Sequence, residues 1–470
     1  MNPKVYIRAD GNTEIGLGHV VRSLALANML QEDFDCIFVT RFLTPYIKKE
    51  AEVSCVDIIE LPSEGHEHYN SFLNLLSGKE IVVLDNYFYS TEYQRSIKEK
   101  GCKLVCIDDI HDKHFVADIV INHAGGIERE LYSNAPYSAL YIGTEYALLR
   151  PAFLINKKAQ GSSIFISMGG ADKKNDLLNI LKLLSEKKVN QTCYAIVGDA
   201  YLHQKQLNEF CDNSNLDIIL LKNQTAEELS DVMLQCRYAI CPPSTISFEY
   251  LSLRGGELYV KVIADNQKDI YDFYIKNLLA FDLSDFFIND DTKIKNSLNA
   301  QRKYFDRQSG NRCLSLFKQL EKEKNLSLRS TTIKDLDLYF KWVNDPGNRN
   351  NALSPGIVTY DEHCAWFARK IASDDTYLWL LEYNNTPLGQ IRFEYENNYF
   401  IISYFIDLKF RGEGFGLSIV KTGIEQLLQL RKDAAFRAIV KETNIVSRKI
   451  FERLNFRLNS TNDGFLEFIK

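Results

Sequence analysis

The sequence is poor in proline, histidine and paired cysteine. Its 470 residues include 10 Pro, 8 His and 10 Cys, and no two cysteines fall at C-x-x-C spacing. So little proline among 24 Gly and 45% hydrophobic residues excludes a collagenous, low-complexity or largely disordered chain. Cysteines scattered singly beside apolar residues, as in LVCIDD and YAICPP, argue against a structural zinc site and for buried free thiols in a reducing compartment. The nearest approach to a metal pattern is His111-x-x-His114 with Asp108, Asp109 and Asp112, which lacks a helix and a third ligand; no metal is expected. A basic excess is also missing: 56 Lys and Arg against 62 Asp and Glu give a net charge of -6, which offers no field for a nucleic-acid backbone. No run approaches about 18 apolar residues, the length that spans a bilayer. The opening MNPKVYIRAD lacks the apolar core of a signal peptide. The expectation is a soluble cytoplasmic protein with neither nucleic-acid nor membrane partners.

What is present is organisation. Short apolar runs that end in polar residues alternate with helical stretches through the first 265 residues: KVYIRAD, DCIFVT, SCVDIIE, EIVVLD, KLVCIDD and DIVINH, then SIFISMGG, TCYAIVGD, NLDIILLKN, RYAICPP and ELYVKVIADNQ. Runs without polar alternation, separated by helices, suit strands of parallel sheets covered on both faces. The polar segment NKKAQGSS divides two such lobes, giving expected boundaries of 1–155 and 156–280. A helical and linker segment, 281–325, closes at QLEKEKN. Beyond it the texture changes: all three Trp lie after position 326 and nine of the ten Cys before it. Residues 326–470 are expected to form a separate α+β domain whose consecutive strands alternate and pair antiparallel.

The first lobe carries one candidate site. In RADGNTEIGLGHVVRSLALA, Gly16 and Gly18 sit at the turn from strand to helix and His19 on the first helical turn, at the sheet edge where open α/β folds keep their ligands. A polar stretch precedes them (Arg8, Asp10, Asn12, Glu14), and His19 is a candidate general base. Asp85 and Asn86 end one strand, and Asp108 and Asp109 the next. Such carboxylates can hold a histidine, bind sugar hydroxyls or cap the following helix. In the second lobe, Gly169 and Gly170 of SMGGADKKN could offer backbone N–H groups to a diphosphate.

Together, RADGNTEIGLGHVVRSLALA, VVLDNY and CIDD resemble the nucleotide-sugar hydrolases of pseudaminic acid biosynthesis, over residues 1 to about 280. The resemblance implies two Rossmann-like lobes in a GT-B-like arrangement, as in the MurG type of glycosyltransferase. It implies release of UDP by water from UDP-2,4-diacetamido-2,4,6-trideoxy-β-L-altropyranose. It places the general base at His19, with Asp85 in the catalytic set, the ribose-holding carboxylate at Glu249 in PSTISFE, and a closing segment at ADNQ with Asn266 and Gln267. One departure is Ser244, where the family often has Gly.

The second candidate site is R-x-x-G-x-G, formed by Arg411, Gly412, Gly414 and Gly416 between a strand and a helix. Close-approach glycines at a helix amino terminus make an anion nest suited to a pyrophosphate. This stretch resembles the coenzyme A loop of the GNAT acetyltransferases, and VKETNIVSRKIFERLNF, with Asn444 and Ser447, resembles that family's second signature, so 326–470 is expected to use acetyl-CoA as cosubstrate. Many GNAT enzymes have a tyrosine as general acid where Phe451 stands, and phenylalanine has no proton to give. Tyr404 is the replacement candidate, with Glu394 and His363 as candidate bases. Residues 342–367 resemble the acceptor side of acetyltransferases acting on the 4-amino group of nucleotide-linked sugars.

The resemblances imply a bifunctional enzyme of a surface-glycan or flagellin-sugar pathway, acting on a UDP-linked amino sugar. The alternatives are the same reactions on a legionaminic-type sugar, or a glycosyltransferase fused to an acetyltransferase. Oligomeric state is not legible.

Overall fold

The computed structural model describes residues 2–12, 15–155, 161–198, 200–253, 256–287, 290–352 and 356–470. Glu14, and residues 156–160 at the expected first boundary, therefore lie outside the described residues. Two compact units are present, Met1–Asp112 with Ile121–Leu131 and Tyr141–Phe317, and Lys113–Val120 with Tyr132–Leu140 and Lys318–Lys470.

Two large sheets lie within residues 4–282. Strands Lys4–Ala9, Asp35–Thr40, Asp57–Glu60, Ile81–Asp85, Lys103–Ile107, Ile119–Asn122 and Ala139–Ile142 build a seven-stranded sheet, in the spatial order third, second, first, fourth, fifth, sixth, seventh. Every residue of Ile81–Asp85 is buried, as is every residue of Lys4–Ala9 after the first, which is why these runs read as continuously apolar. Neighbouring strands are parallel wherever a register is defined from Asp57–Glu60 across to Lys103–Ile107. Strand order reverses between Lys4–Ala9 and Ile81–Asp85, whose registers run level from Val5 opposite Ile81 to Ala9 opposite Asp85. The crevice at such a reversal is the natural ligand site of an open parallel sheet.

The second sheet repeats the plan. Ser163–Ser167, Cys193–Val197, Ile218–Lys222, Cys236–Cys241, Glu257–Val260 and Phe281–Asp282 are all parallel, in the order third, second, first, fourth, fifth, sixth. Its reversal lies between Ser163–Ser167, which leads into Gly169, and Cys236–Cys241, which leads into Ser244. In both lobes the marked sequence segments thus follow the two strands that flank a topological switch.

The second unit is different. Leu326–Ser330, Thr376–Tyr383, Thr386–Glu396 and Tyr399–Ile406 pair antiparallel in succession. The two hairpin turns are Asn384–Asn385 and Asn397–Asn398, all four at positive φ, the conformation that a two-residue type I′ loop demands and that asparagine tolerates. Tyr399–Ile406 then runs parallel to Phe436–Lys441, but only Phe400, Ile401 and Ile402 pair with it. Beyond Ile402 the two strands part. Helix Phe415–Leu430 lies on this sheet, and Gly423 lets it come close: a Cβ there would meet Ile391 Cδ1 at 2.7 Å.

All ten cysteines are free. Among the described residues no helix is long and apolar enough to cross a membrane, and no group of three or more His, Cys, Asp or Glu could hold a metal ion.

Candidate active sites

In the first lobe the chain leaves Lys4–Ala9 through a tight loop. Gly16 donates its N–H to the Asn12 carbonyl at 2.8 Å, and Gly16 has φ +84. A Cβ at Gly16 or Gly18 would face open space, so Gly16 serves the left-handed backbone rather than packing. The turn delivers helix Gly18–Leu30 with His19 and Arg22 three residues apart on one face, both nearly buried.

Asp85, fully buried at the end of its strand, receives both. His19 Nδ1 lies 2.7 Å from Asp85 Oδ1; Arg22 donates to Oδ1 at 2.6 Å and to Oδ2 at 2.8 Å, and the Ser23 hydroxyl donates to Oδ2 at 3.0 Å. Burial alone would raise the Asp85 carboxyl, but Arg22 and then His19 overcome it and hold the group well below the usual carboxylate range. Arg22 also stands 3.0 Å from His19 Nδ1. A ring nitrogen cannot both donate to a carboxylate and accept from a guanidinium. Ionised Asp85 can only accept, so Nδ1 carries the hydrogen, and in the neutral ring the lone pair is then on Nε2.

The network continues outward. Arg22 donates to Asp109 Oδ2 at 3.0 Å, Tyr87 donates to the same oxygen at 3.1 Å, and Asn266 of the second lobe donates to the Tyr87 hydroxyl at 3.3 Å. The Tyr87 ring meets the His19 imidazole edge-to-face at 4.7 Å. Burial and then Asp109 push the Tyr87 hydroxyl up, keeping it protonated. The structure therefore brings His19, Asp85 and Asn266 into one hydrogen-bonded chain. Sequence reading missed Arg22 and Tyr87 as members. The signal for Arg22 was its i,i+3 spacing from His19; for Tyr87 it was a second aromatic-polar position past the same strand end.

A second buried cluster lies beside the first. Asp10 is bound by Arg8, by Arg41 Nε at 2.6 Å and by the Arg41 N–H at 2.8 Å, while Asn86 Oδ1 accepts the Asp10 N–H at 2.7 Å. Asp10 and Asn86 thus tie strand ends together.

The second-lobe candidates are dispersed. Glu249, 1% exposed, accepts Arg150 Nε at 2.8 Å and Nη2 at 3.1 Å, so both carboxylate oxygens are already engaged. Gly169, at φ +81, faces open space, while Gly170 lies against Gly198. Helix Asp176–Glu186 has its first N–H groups taken by Asp172, whose oxygens accept from Asp176 and Leu177 at 2.9 Å each. Gln267 Oε1 accepts the Ile263 N–H at 2.9 Å and so shapes its own loop.

In the second unit, Tyr404 lies beyond the last residue that pairs with Phe436–Lys441. Its hydroxyl is 2.7 Å from Ser447 Oγ, and Asn444 Oδ1 accepts the Ser447 N–H at 3.1 Å, capping helix Ile445–Arg453. A Cβ on Gly416 would stand 3.8 Å from the Tyr404 ring. Tyr404, Gly416, Asn444 and Ser447 are therefore close neighbours beyond the point where the two strands stop pairing. Gly412 and Gly414 have φ +84 and +87, and Gly414 caps helix Phe415–Leu430. Arg411 is turned away from that loop: it donates to the Ile406 carbonyl at 2.9 Å and to Asp345 at 2.7 Å. Glu394 is held in an ion pair by Lys370. His363 is buried, with Nε2 3.0 Å from the Leu336 carbonyl.

Residues 325–457 match the model of the acetyltransferase (GNAT) domain. The chain is thus an enzyme with a GNAT acetyltransferase domain after a two-sheet α/β region. It is 29% identical over 264 residues to the UDP-2,4-diacetamido-2,4,6-trideoxy-beta-L-altropyranose hydrolase of Campylobacter jejuni, a match covering 54% of this chain and 89% of that protein, and the amino-terminal part is homologous to it. An uncharacterized protein of Methanocaldococcus jannaschii is 24% identical over 484 residues, 97% of this chain and 96% of its own. Among solved structures, an N-acetyltransferase of Campylobacter jejuni is 15% identical, covering 31% of this chain and 97% of its own, with a TM-score of 0.25.

Proposed function

We propose that the chain carries out two consecutive steps on a UDP-linked amino sugar. The acetyltransferase domain moves an acetyl group from acetyl-CoA to the 4-amine of UDP-4-amino-4,6-dideoxy-N-acetyl-β-L-altrosamine. The amino-terminal lobes hydrolyse the product, UDP-2,4-diacetamido-2,4,6-trideoxy-β-L-altropyranose, to UDP and the free sugar. Both substrates are cytoplasmic metabolites in this proposal, and ten free thiols suit a reducing compartment.

The observation that carries the hydrolytic reading is the 2.7 Å contact of His19 Nδ1 with Asp85 at a topological switch. Asp85 holds Nδ1–H, so Nε2 can take a proton from water as its oxygen bonds to the anomeric carbon and UDP departs as the anion. Tyr87 and Asn266, hydrogen-bonded to one another, are placed to orient the sugar or the departing phosphate. Glu249 reaches the ribose only through lone pairs that Arg150 leaves open.

For acetyl transfer, the parted strands leave the backbone of residues 403–406 without partners from Phe436–Lys441, which suits an extended acyl chain lying alongside. The amine nitrogen bonds to the acetyl carbon and gives up a proton to water, the carbon–sulfur bond breaks, the thiolate takes a proton from Tyr404, and Tyr404 recovers one from water. Incubating the protein with candidate UDP-sugars, with and without acetyl-CoA, and following products by mass spectrometry and proton NMR tests both steps. Release of free diacetamido sugar only when acetyl-CoA accompanies the amino-sugar substrate is the expected result. Transfer of the sugar to an acceptor instead of water would replace hydrolysis by glycosyl transfer.

A further inference from the structure

The last turn of helix Ser309–Glu323 lies outside the matched domain, which begins at residue 325, yet it is built into the glycine loop. A Cβ on Gly414 would meet Gln319 Oε1 at 2.4 Å, and Gln319 Nε2 donates to Ser418 Oγ at 2.6 Å. Ser418 in turn donates to Glu323 Oε1 at 2.8 Å, and Lys421 donates to Glu323 Oε2 at 3.0 Å. Ser418, Lys421 and Glu323 are all buried. Above this network Lys322 Nζ stands 3.5 Å from Glu413 Oε2 and 5.6 Å from the centre of the Phe415 ring.

Glu413 is the anomaly. It lies between Gly412 and Gly414, both at positive φ, in the loop that leads into the amino terminus of helix Phe415–Leu430. A carboxylate there repels any phosphate drawn to the same N–H groups. We propose that Lys322 is a specificity residue for a diphosphate-bearing acyl donor: it neutralises Glu413 at the rim of the loop, so the nest can accept two phosphates. The proposal rests on the acetyl-CoA reading of this domain. Chemically, the ammonium needs no contact with the thioester, so its influence falls on the diphosphate and not on the acetyl group.

The test compares two donors on the full-length protein, acetyl-CoA and acetyl-pantetheine, which carries the same thioester without the diphosphate. Lys322→Ala should raise KM for acetyl-CoA about two- to fivefold, the usual effect of one charge near a helix terminus, more at low than at high salt. The kcat, and the KM for acetyl-pantetheine, should stay as in wild type. Adding Glu413→Gln to Lys322→Ala should restore the acetyl-CoA KM, because the repelling charge is then gone, and Lys322→Arg should behave as wild type. Equal changes for both donors, no change for either, or failure of Glu413→Gln to restore binding would each overturn the proposal. Wild-type protein unable to use either donor would instead overturn the acetyltransferase reading on which it stands.

Discussion

His19 Nδ1 and Asp85 Oδ1 are 2.7 Å apart although 66 residues separate them in the chain, because the helix carrying one and the strand ending in the other flank the same reversal of strand order. Arg22 clamps both oxygens of Asp85 from the helix that bears His19. Asp85→Asn keeps the shape but turns an acceptor-only group into one that can present an N–H to the ring, inviting the wrong tautomer. Hydrolysis should fall about 10²–10⁴-fold, as should that of His19→Ala. UDP binding by calorimetry should be nearly unchanged in both. Turnover near wild type in either variant removes the pair from the mechanism.

The Arg150–Glu249 pair sets a separate expectation. Both partners are largely buried and bonded bidentately. Glu249→Gln leaves the guanidinium without its countercharge, and removing one partner of a buried pair typically costs about 3–5 kcal/mol. The melting temperature should drop clearly, and the folded protein should bind UDP more weakly if the same carboxylate serves the ribose. An unaltered melting temperature rejects the structural role. Undiminished UDP affinity of the folded variant moves the nucleotide to other residues.

Much of this architecture was legible in the sequence, because buried parallel strands announce themselves as unbroken apolar runs. Asp35–Thr40, Ile81–Asp85 and Ser163–Ser167 fall where those runs lie, and His19 stands on the first helical turn. Arg150 was not legible as a site member, since an arginine's partner is fixed by three-dimensional proximity and nothing local marks it; Arg22 offered only its i,i+3 spacing from His19. Arg411 shows the converse: its motif suggested a phosphate contact, yet the loop geometry spends the guanidinium on Asp345 and the Ile406 carbonyl. The paired asparagines at 384–385 and 397–398 carried a hairpin signal in plain view, and their φ values show why.

Two buried histidines contribute to the acid side of the stability profile. Burial, and then Arg22, lowers the His123 imidazole to about 3; burial, and then Arg41, lowers His68 to about 4. An unfolded histidine titrates near 6.5, so below that pH the unfolded chain takes protons that the folded one refuses. Stability should be constant above about pH 6.5 in this respect and fall as pH drops toward 4. His123→Gln should flatten that slope by up to one proton, measured as unfolding free energy against pH. An unchanged slope would show that His123 titrates normally in the folded state.

The buried Lys421–Glu323 pair decides where an isolated acetyltransferase domain can start. A fragment of residues 326–470 lacks Gln319 and Glu323, which leaves Lys421 and Ser418 buried without their partners. A fragment of residues 309–470 retains them. The longer fragment should be the more stable by about 3–5 kcal/mol, as for a broken buried ion pair, in denaturant titrations. Equal midpoints would mean that Lys421 finds water or another acceptor.

Tyr404 is the remaining expectation, and its chemistry can be separated from its packing. Its hydroxyl lies 2.7 Å from Ser447 Oγ beyond the point where the two strands part. Phe451, at a ring distance of 6.4 Å, is buried and stacked on Phe468. Burial, offset in part by Ser447, pushes the Tyr404 hydroxyl up to about 12. It therefore stays protonated across the working range and can give its proton to a departing thiolate. Loss of a general acid typically costs about 10²–10⁴-fold, so Tyr404→Phe should lower kcat for acetyl transfer by that order while leaving the KM for acetyl-CoA nearly unchanged. Wild-type kcat/KM should show no alkaline fall from this group until pH approaches 12. Phe451→Ala, by contrast, removes packing: the melting temperature should drop, while the pH–rate profile keeps its shape. Measuring kcat against pH for wild type and both variants in the full-length protein distinguishes the two effects. A Tyr404→Phe variant with wild-type kcat throughout takes the proton donor away from Tyr404 and leaves water, or the amine's own proton, to complete the thiol.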